Sequence, residues 1–228
     1  MISYAVLDCR PVRAAALPAG ASAAPVHRVG PRPGKQIDPL LHGRIMVLGD
    51  DADLAAVCVR LLRTDRFAGV EVGYAPRSPT SVTRLWSLPT GEPAAAAMRE
   101  AEAVPVPLVR DDVGGVLMGL GTVAPVLGTV YVDEHRVLSG PASSVRVRPD
   151  PTRGLAVTVT GRRRLGVLPG RSVTTLGRAV QIGTHHAPAT VVRDGVPYRR
   201  PMETWIFYKH TEPLLLVGAR PSGHQVGG

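Results

Sequence analysis

The chain has 228 residues and a mass of 24.1 kDa, which is enough for one large or two small domains with a buried core. Hydrophobic residues make up 44% and charged residues 20%, which excludes a disordered chain, and no apolar run reaches the roughly 18 residues of a membrane-spanning helix. The two cysteines, Cys9 and Cys58, exclude a disulfide framework and fit a reducing cytoplasm.

The net charge of +9 is spread unevenly along the sequence. Residues 1–121 carry 13 basic and 12 acidic side chains, whereas residues 122–228 carry 14 basic and 6 acidic ones, so the second half holds +8. Such an excess attracts phosphates, anionic membrane headgroups or nucleic acid, and an ordinary solvated surface is the alternative. An aromatic content of 4% argues against single-stranded nucleic acid bound by base stacking.

The first third of the sequence contains one clear strand–turn–helix unit. Before it, residues 2–8 predict a short strand, and residues 10–43, rich in Pro, Gly, Ala and Arg, predict a loop. Residues 44–48 then predict a buried strand and Gly49–Asp51 a turn. Residues 52–63 carry apolar side chains at helical spacing, so they predict an amphipathic helix.

Strand and helix patterns continue to alternate up to about residue 121. Strands are predicted at 69–75, 104–109 and 116–120, and helices at 80–88 and 92–102. This alternation predicts a mostly parallel sheet with helices over it, which makes residues 1–121 an α/β domain.

The pattern changes after residue 121, where no long helical periodicity remains. Short strand-like segments alternate with turn signals such as Gly140–Pro141, Pro149–Asp150 and Asp194–Gly195. Residues 122–228 are therefore predicted to form a β-rich, antiparallel, sandwich-like second domain. The predicted fold class is α/β in the first domain with an antiparallel β domain added to it.

The turn after the 44–48 strand, Gly49-Asp50-Asp51-Ala52-Asp53, is the strongest candidate for a binding site. Because it follows a strand and opens a helix, it presents backbone N–H groups and a helix N-terminus, which favour an anion. Its three carboxylates repel a bare phosphate, so a nucleotide there requires Mg²⁺ between the charges. The alternative is that the aspartates only cap the helix.

This strand, turn and helix resemble the glycine-rich segment of the NAD kinase and diacylglycerol kinase-like superfamily, in which a strand runs into a Gly-Gly-Asp-Gly-Thr turn. Gly49 matches the first glycine of that motif, and Asp51 matches its aspartate. Asp50 and Ala52 stand where the family has glycines, and Asp53 stands where it has threonine. The frame of the motif is kept, but three side chains are added or enlarged.

Two later segments resemble the same superfamily in the same order. Residues 73–89, which include Pro76, are similar to its second nucleotide loop and the helix that follows. Residues 177–217 resemble the end of the lipid kinases, which have Asp-Gly-Glu where this chain has Asp194-Gly195-Val196. Asp194 is a candidate substitute for the missing glutamate, and the alternative is a simple Asp-Gly hairpin turn.

The resemblance implies ATP and Mg²⁺ as cofactors, with phosphoryl transfer to a hydroxyl of a lipid or a dinucleotide in a cleft between the domains. It implies that Asp51 organises Mg²⁺ or the acceptor and that Asp194 is the second catalytic position. The positions that it assigns to the nucleotide are Gly49, Asp50, Ala52, Asp53 and Pro76. The partners expected are a nucleotide, a lipid headgroup or dinucleotide, an anionic membrane surface and a second copy of the chain, in a cytoplasmic protein.

Departures from the family pattern favour a second hypothesis. Side chains at positions 50 and 52 occupy places where the backbone must approach phosphate, and valine at position 196 cannot act as a general base. A catalytically inactive binding or regulatory protein on the same fold is therefore the alternative to an ATP-dependent kinase. A third hypothesis is a basic protein that binds nucleic acid or a membrane surface without any nucleotide site.

Overall fold

A computed structural model describes residues 4–11, 16–21, 24–162, 170–185 and 187–220. The chain divides into two compact units, which we call unit 1 (residues 1–106 and 212–228) and unit 2 (residues 107–211). The boundary predicted near residue 121 lies inside unit 2, and the last strand of the chain returns to unit 1. The return is invisible in the sequence because it rests on strand pairing across more than 100 residues.

The described residues form three α-helices and seventeen strands. The helices are α1 (Asp51–Thr64), α2 (Ser81–Trp86) and α3 (Gly91–Glu100). The strands are β1 (Tyr4–Asp8), β2 (Val26–Arg28), β3 (Gly43–Leu48), β4 (Val70–Tyr74), β5 (Ala103–Val106), β6 (Val109–Asp111), β7 (Val116–Leu117), β8 (Gly121–Ala124), β9 (Val126–Val132), β10 (His135–Asp150), β11 (Gly154–Gly161), β12 (Ser172–Gly177), β13 (Ala179–Thr184), β14 (Thr190–Arg193), β15 (Val196–Pro197), β16 (Thr204–Lys209) and β17 (Leu214–Val217).

Unit 1 is built on a mixed six-stranded sheet with the order β2-β1-β3-β4-β17-β5. Every neighbouring pair is parallel except β17 with β5, which is antiparallel. The central strand β3 is buried from Arg44 to Leu48, as its run of apolar residues predicts for a strand covered on both faces. A mostly parallel sheet with helices is thus present, with one antiparallel strand at its edge.

The predicted loop at residues 10–43 is wrong in part, because it contains two ordered elements. One is β2, which pairs in parallel with β1, and the other is a 3₁₀ helix at Lys35–Leu40. Arg60 of α1 holds this helix through two hydrogen bonds to the Asp38 carboxylate, of 2.8 and 2.6 Å. Both elements are too short to show periodicity, and their support comes from residues far away in the sequence.

Helix α1 has the amphipathic pattern that its sequence predicts. Leu54, Val57, Cys58 and Leu61 are buried, and their spacing of three and four residues places them on one face. The helix ends at Asp65, which adopts the left-handed conformation (φ 54°) that commonly terminates a helix. None of the helices in the described ranges is long and apolar enough to cross a membrane.

Unit 2 is an antiparallel, curled sheet of eleven strands among the described residues. The order is β15-β14-β8-β10-β9-β13-β16-β6-β7, and β11 and β12 branch from β10. One face of the sheet carries a buried cluster of valine, leucine and aromatic side chains that includes Trp205 and Phe207. The antiparallel, strand-rich character predicted for the second half is therefore present, and the eleven strands belong to one hydrogen-bonded sheet.

Candidate functional site

The strand order of unit 1 creates a switch point between β1 and β3. The chain leaves β1 toward β2 on one side of the sheet, and β3 and β4 lie on the other side. In open parallel α/β sheets, ligands bind beyond the carboxyl ends of the strands at such a point. The segments that follow β1 and β3 are neighbours there, since the Cys9 N–H donates to the Leu48 carbonyl at 2.9 Å. The turn singled out from the sequence therefore stands at this point.

The turn after β3 closes on itself through a reciprocal capping box. Asp50 is the N-cap of α1, and its Oδ1 accepts from the Asp53 N–H at 2.9 Å. In return the Asp50 N–H donates to Asp53 Oδ2 at 3.0 Å. Such a box satisfies two helix-terminal N–H groups with the protein's own carboxylates. The capping role considered for these aspartates is thus present.

The side chain of Asp53 leaves no space for a side chain at position 49. A Cβ added to Gly49 would overlap the carboxylate of Asp53, whereas the backbone of Gly49 is not in the left-handed region. The second oxygen, Asp53 Oδ1, accepts from the Arg32 N–H at 2.7 Å. The buried carboxylate of Asp53 therefore lies against Gly49, on the backbone that a phosphate would have to approach.

Burial around this turn changes how its acidic groups titrate. Burial raises the pKa of Asp53, opposed in part by the Arg32 and Asp50 backbone N–H groups and reinforced by the charge of Asp50. Burial, together with the charges of Asp53, Asp8 and Asp50, also raises the pKa of Cys9 far above its usual range. The Cys9 thiol is therefore held in its unreactive, protonated form.

Asp51 is buried, and both of its carboxylate oxygens accept hydrogen bonds from unit 1. Oδ1 accepts from the Tyr74 hydroxyl at 2.8 Å, and Oδ2 accepts from the N–H groups of Ser81 at 3.1 Å and Val82 at 3.4 Å. Ser81 and Val82 are the first residues of α2, so the carboxylate neutralises the positive end of that helix. Burial and the Asp51 charge raise the pKa of Tyr74. Asp51 thus ties α1, β4 and α2 together.

The remaining residues assigned to the nucleotide also have structural positions. Ala52 is almost completely buried in the first turn of α1. Pro76 is buried, and its carbonyl accepts from the N–H of Gly91, the first residue of α3, at 2.9 Å. Pro76 therefore anchors the start of α3.

An ion pair that the sequence analysis missed lies at the end of β1. Arg10 donates from Nε at 2.8 Å and from Nη2 at 3.1 Å to the two oxygens of the Asp8 carboxylate. Burial works to raise the pKa of Asp8, but the hydrogen bonds and charge of Arg10 lower it overall. The spacing of an acidic and a basic residue two positions apart is too common to indicate such a pair. The charge of Arg10, which follows β1, is thus neutralised by the nearby Asp8 carboxylate.

In unit 2, Asp194 and Gly195 form the tight turn between β14 and β15. Both residues have positive φ, 46° and 82°, as a two-residue hairpin turn of the Asp-Gly kind requires. The Asp194 carboxylate is buried and accepts from three backbone N–H groups, Met118 at 2.8 Å, Gly119 at 2.7 Å and Leu120 at 3.0 Å. The hairpin alternative for Asp194 is therefore present, with the added function of holding residues 118–120.

A second aspartate holds the start of the same loop. Asp111 Oδ1 accepts from the N–H groups of Val113 at 3.1 Å and Gly115 at 2.6 Å, while its other oxygen pairs with Arg193. The Arg193 guanidinium lies 5.5 Å from the ring centre of Trp205. Asp111 and Asp194 together fix the loop between β6 and β8, a contact that no local pattern in the sequence indicates.

The acidic residues at the switch point already accept hydrogen bonds from the protein. Within the described ranges, no three His, Cys, Asp or Glu side chains converge in a way that could hold a metal ion. Asp51 and Asp53 use both of their oxygens on protein donors. A Mg²⁺ held by one carboxylate and by phosphate oxygens needs no such cluster, so the metal role predicted for Asp51 stays a prediction.

Solved structures of similar fold identify the architecture. A diacylglycerol kinase from Bacillus anthracis str. Sterne is 13% identical, with a TM-score of 0.66 over 94% of this chain and 96% of its own. The chain has the fold of the diacylglycerol kinases and NAD kinases. An NAD kinase from Archaeoglobus fulgidus, solved in complex with ATP, is 13% identical and has a TM-score of 0.61 over 94% of this chain and 93% of its own.

A third structure with the kinase fold is yeast NADH kinase complexed with NADH, at 10% identity and a TM-score of 0.58 over 97% of this chain and 85% of its own. No protein-family model and no curated protein matches the sequence. The kinase fold expected from the order of the three motifs is therefore confirmed, while the chemistry depends on the residues described above.

Proposed function

We propose that this chain is a kinase-fold protein that does not transfer phosphate and that acts as a binding or regulatory protein. The observation that carries this proposal is the position of Asp53, whose carboxylate lies against Gly49 and accepts from the Asp50 N–H. A phosphate at this turn would have to displace that carboxylate and its two hydrogen bonds. It would also approach the negative charges of Asp50 and Asp53, which repel it.

The residues expected to activate the acceptor hydroxyl also argue against phosphoryl transfer. A general base needs an oxygen or nitrogen within hydrogen-bond reach of the acceptor hydroxyl. Val196 has neither, and the Asp194 carboxylate accepts from three backbone N–H groups. These features support the loss of catalysis on the same fold.

The competing function is ATP-dependent phosphoryl transfer to a lipid or dinucleotide hydroxyl. It is favoured by the fold, since one similar structure is an NAD kinase in complex with ATP. Binding of a ligand to the native state alone raises stability by about 2.7 kcal/mol at a hundredfold excess over Kd. A nucleotide that binds must therefore shift the thermal unfolding of this protein.

The experiment is thermal unfolding with and without millimolar Mg·ATP, together with incubation in labelled ATP with diacylglycerol vesicles or NAD. We expect no shift and no labelled product, while an authentic diacylglycerol kinase and NAD kinase give both under the same conditions. The triple variant Asp50→Gly, Ala52→Gly, Asp53→Thr removes the carboxylate against Gly49, and we expect it to bind Mg·ATP more tightly than the wild type. A clear shift and product from the wild type would refute the proposal.

A further inference from the structure

A depression of about 330 Å³ lies in unit 2, on the face of the sheet opposite the buried cluster, across β9, β13 and β16. The strand register places Thr129 of β9, Gly183 of β13 and Thr204 of β16 side by side, with Tyr131 beside Gln181 in the next row. The side chains of Tyr131, Gln181 and Thr204 are exposed. Most of the lining of the depression thus belongs to a regular sheet surface.

Gly183 forms the floor of the depression, although the fold does not require glycine there. A Cβ added to Gly183 would make only ordinary contacts with Thr129, at 3.7 Å to Oγ1 and 3.8 Å to the carbonyl oxygen, and the backbone φ lies outside the left-handed region. Its neighbour Gly128 is different, since a Cβ there would overlap the carbonyl of Gly183. A glycine inside a strand weakens it and often marks the close approach of a ligand. Position 183 is such a glycine.

The walls of the depression carry hydrogen-bonding groups that no described residue uses. The Tyr131 hydroxyl, the Gln181 amide and the Glu203 carboxylate have no hydrogen-bond partner among the described residues, although much of each side chain is exposed. The Thr129 hydroxyl lies 3.3 Å from His185 Nε2, within hydrogen-bond distance, so these two side chains hold each other at one edge of the site. Donors and acceptors therefore converge from three strands on a space the size of a small molecule.

The charges in the depression limit the class of ligand. Among the described lining residues Glu203 is the one carboxylate and His185 the one histidine, and none is Arg or Lys. A carboxylate in a lining whose described residues include no Arg or Lys disfavours phosphates and other anions. The ring of Tyr131, which is 37% exposed, offers an apolar face beside these polar groups. A neutral ring with many hydroxyls matches a site that has one aromatic face and several donors and acceptors.

We propose that this depression binds a neutral, hydroxyl-rich ring, such as a sugar or a cyclitol. The proposal concerns residues of unit 2 alone, so it holds whether or not the turn at Gly49 binds a nucleotide. Tyr131 packs against the apolar face of the ring, Gln181 and Glu203 bind its hydroxyls, and the missing side chain at Gly183 leaves the space.

The test is a ¹H–¹⁵N NMR titration of the full chain with glucose, N-acetylglucosamine and myo-inositol, each up to roughly 50 mM, so that binding with a Kd as weak as about 1 mM is detected. We expect at least one probe to shift the amide signals of residues 129–131, 181–185 and 203–204. Inorganic phosphate and ethanolamine serve as an anionic and a cationic probe. Absence of shifts at these residues with all three neutral probes would overturn the proposal, and so would stronger binding of phosphate or ethanolamine.

Two variants separate binding at the depression from binding elsewhere. Gly183→Val adds a Cβ that makes only ordinary contacts and two methyl groups that fill the floor, and we expect it to weaken the affinity for the active probe roughly tenfold or more. Gly161→Val is the matched control, because it is also a strand glycine whose Cβ would make an ordinary 3.4 Å contact, with the Arg171 carbonyl. Gln181→Ala, at an exposed position, tests the hydrogen bond independently of packing. Unchanged affinity in both Gly183→Val and Gln181→Ala would contradict the assignment.

Discussion

The hydroxyl of Tyr74 donates a 2.8 Å hydrogen bond to the carboxylate of Asp51, which joins the end of β4 to the first turn of α1. Asp51 is the one acidic residue of the turn that matches the aspartate of the kinase motif. In this protein it serves as an internal acceptor for a hydroxyl and for the N-terminus of α2. The residue is therefore retained in a position where it stabilises the fold, whether or not chemistry takes place.

Removal of that hydroxyl should destabilise unit 1. Tyr74→Phe leaves a buried carboxylate oxygen without its donor, and we expect a loss of about 1–3 kcal/mol in the free energy of unfolding. Tyr131→Phe is the control, because its hydroxyl is on the exposed face of unit 2 and has no partner among the described residues. Urea unfolding monitored by circular dichroism measures both. Equal stability of the two variants would show that the bond to Asp51 contributes nothing.

A side chain at position 49 should be tolerated only if residue 53 becomes smaller. We expect Gly49→Ala to lower the free energy of unfolding by about 1–3 kcal/mol, because its Cβ overlaps the carboxylate of Asp53. Asp53→Gly removes the Cβ, Cγ and Oδ2 atoms that the new Cβ would meet, so the double variant should lose less than the sum of the two single variants. A double-mutant cycle in urea gives the coupling energy, and strict additivity would contradict the proposed contact.

The pH dependence of stability should have opposite signs at Asp53 and Asp8. Burial raises the pKa of Asp53 in the folded state above 3.8, its ordinary value in the unfolded chain. Its stabilising contribution is therefore fully present below pH 3.8 and is lost as the pH rises through the folded-state pKa. For Asp8 the pKa is lowered, so its contribution is present above 3.8 and is lost as the pH falls below it.

The stability difference between the wild type and Asp53→Asn should therefore fall as the pH rises from 3 to 7, and that between the wild type and Asp8→Asn should rise. Urea unfolding at about five pH values, chosen across this range, measures both slopes. Two differences that change in the same direction would show that one of the assigned environments is wrong. A variant unfolded over the whole range is replaced by Asp53→Ser or Asp8→Ser.

Asp194 should matter more than a similar aspartate on the surface. Asp194→Ala leaves the N–H groups of residues 118–120, two buried and one partly buried, without this acceptor, and we expect a loss of about 3 kcal/mol or more. Asp133→Ala is the matched control, because Asp133 also has a positive φ in a hairpin turn and accepts from two backbone N–H groups, but it is exposed. Equal losses in the two variants would show that the loop contacts of Asp194 add nothing.

Much of the local structure could be predicted because it depends on neighbouring residues. The apolar spacing of Leu54, Val57 and Leu61 predicts α1, and the Asp194–Gly195 pair predicts a hairpin, since both patterns are set by backbone geometry over a few residues. The capping roles of Asp50 and Asp53 were already the alternative interpretation of their turn. The order of three degraded motifs was enough to indicate the kinase fold.

The functions of individual carboxylates could not be predicted in the same way. Asp51 meets residues 23 to 31 positions away, and Asp194 meets residues 74 to 76 positions away, so nothing beside them in the sequence signals how their oxygens are used. The depression at Gly183 could not be predicted for the same reason, because it depends on which strands lie next to each other. The Asp8–Arg10 pair is local, but its two-residue spacing is too common to indicate an ion pair.

The sequence alone therefore determined most of the elements, the α/β-then-antiparallel order and the resemblance to lipid and NAD kinases, because periodicity, turn residues and motif order are local or linear properties. Only the tertiary structure decided that β17 returns to the first sheet and that Asp51, Asp53 and Asp194 bind protein donors. A carboxylate can cap a helix or bind a ligand with the same sequence around it. Which of the two it does is set by the donors that distant segments bring to it when the chain folds.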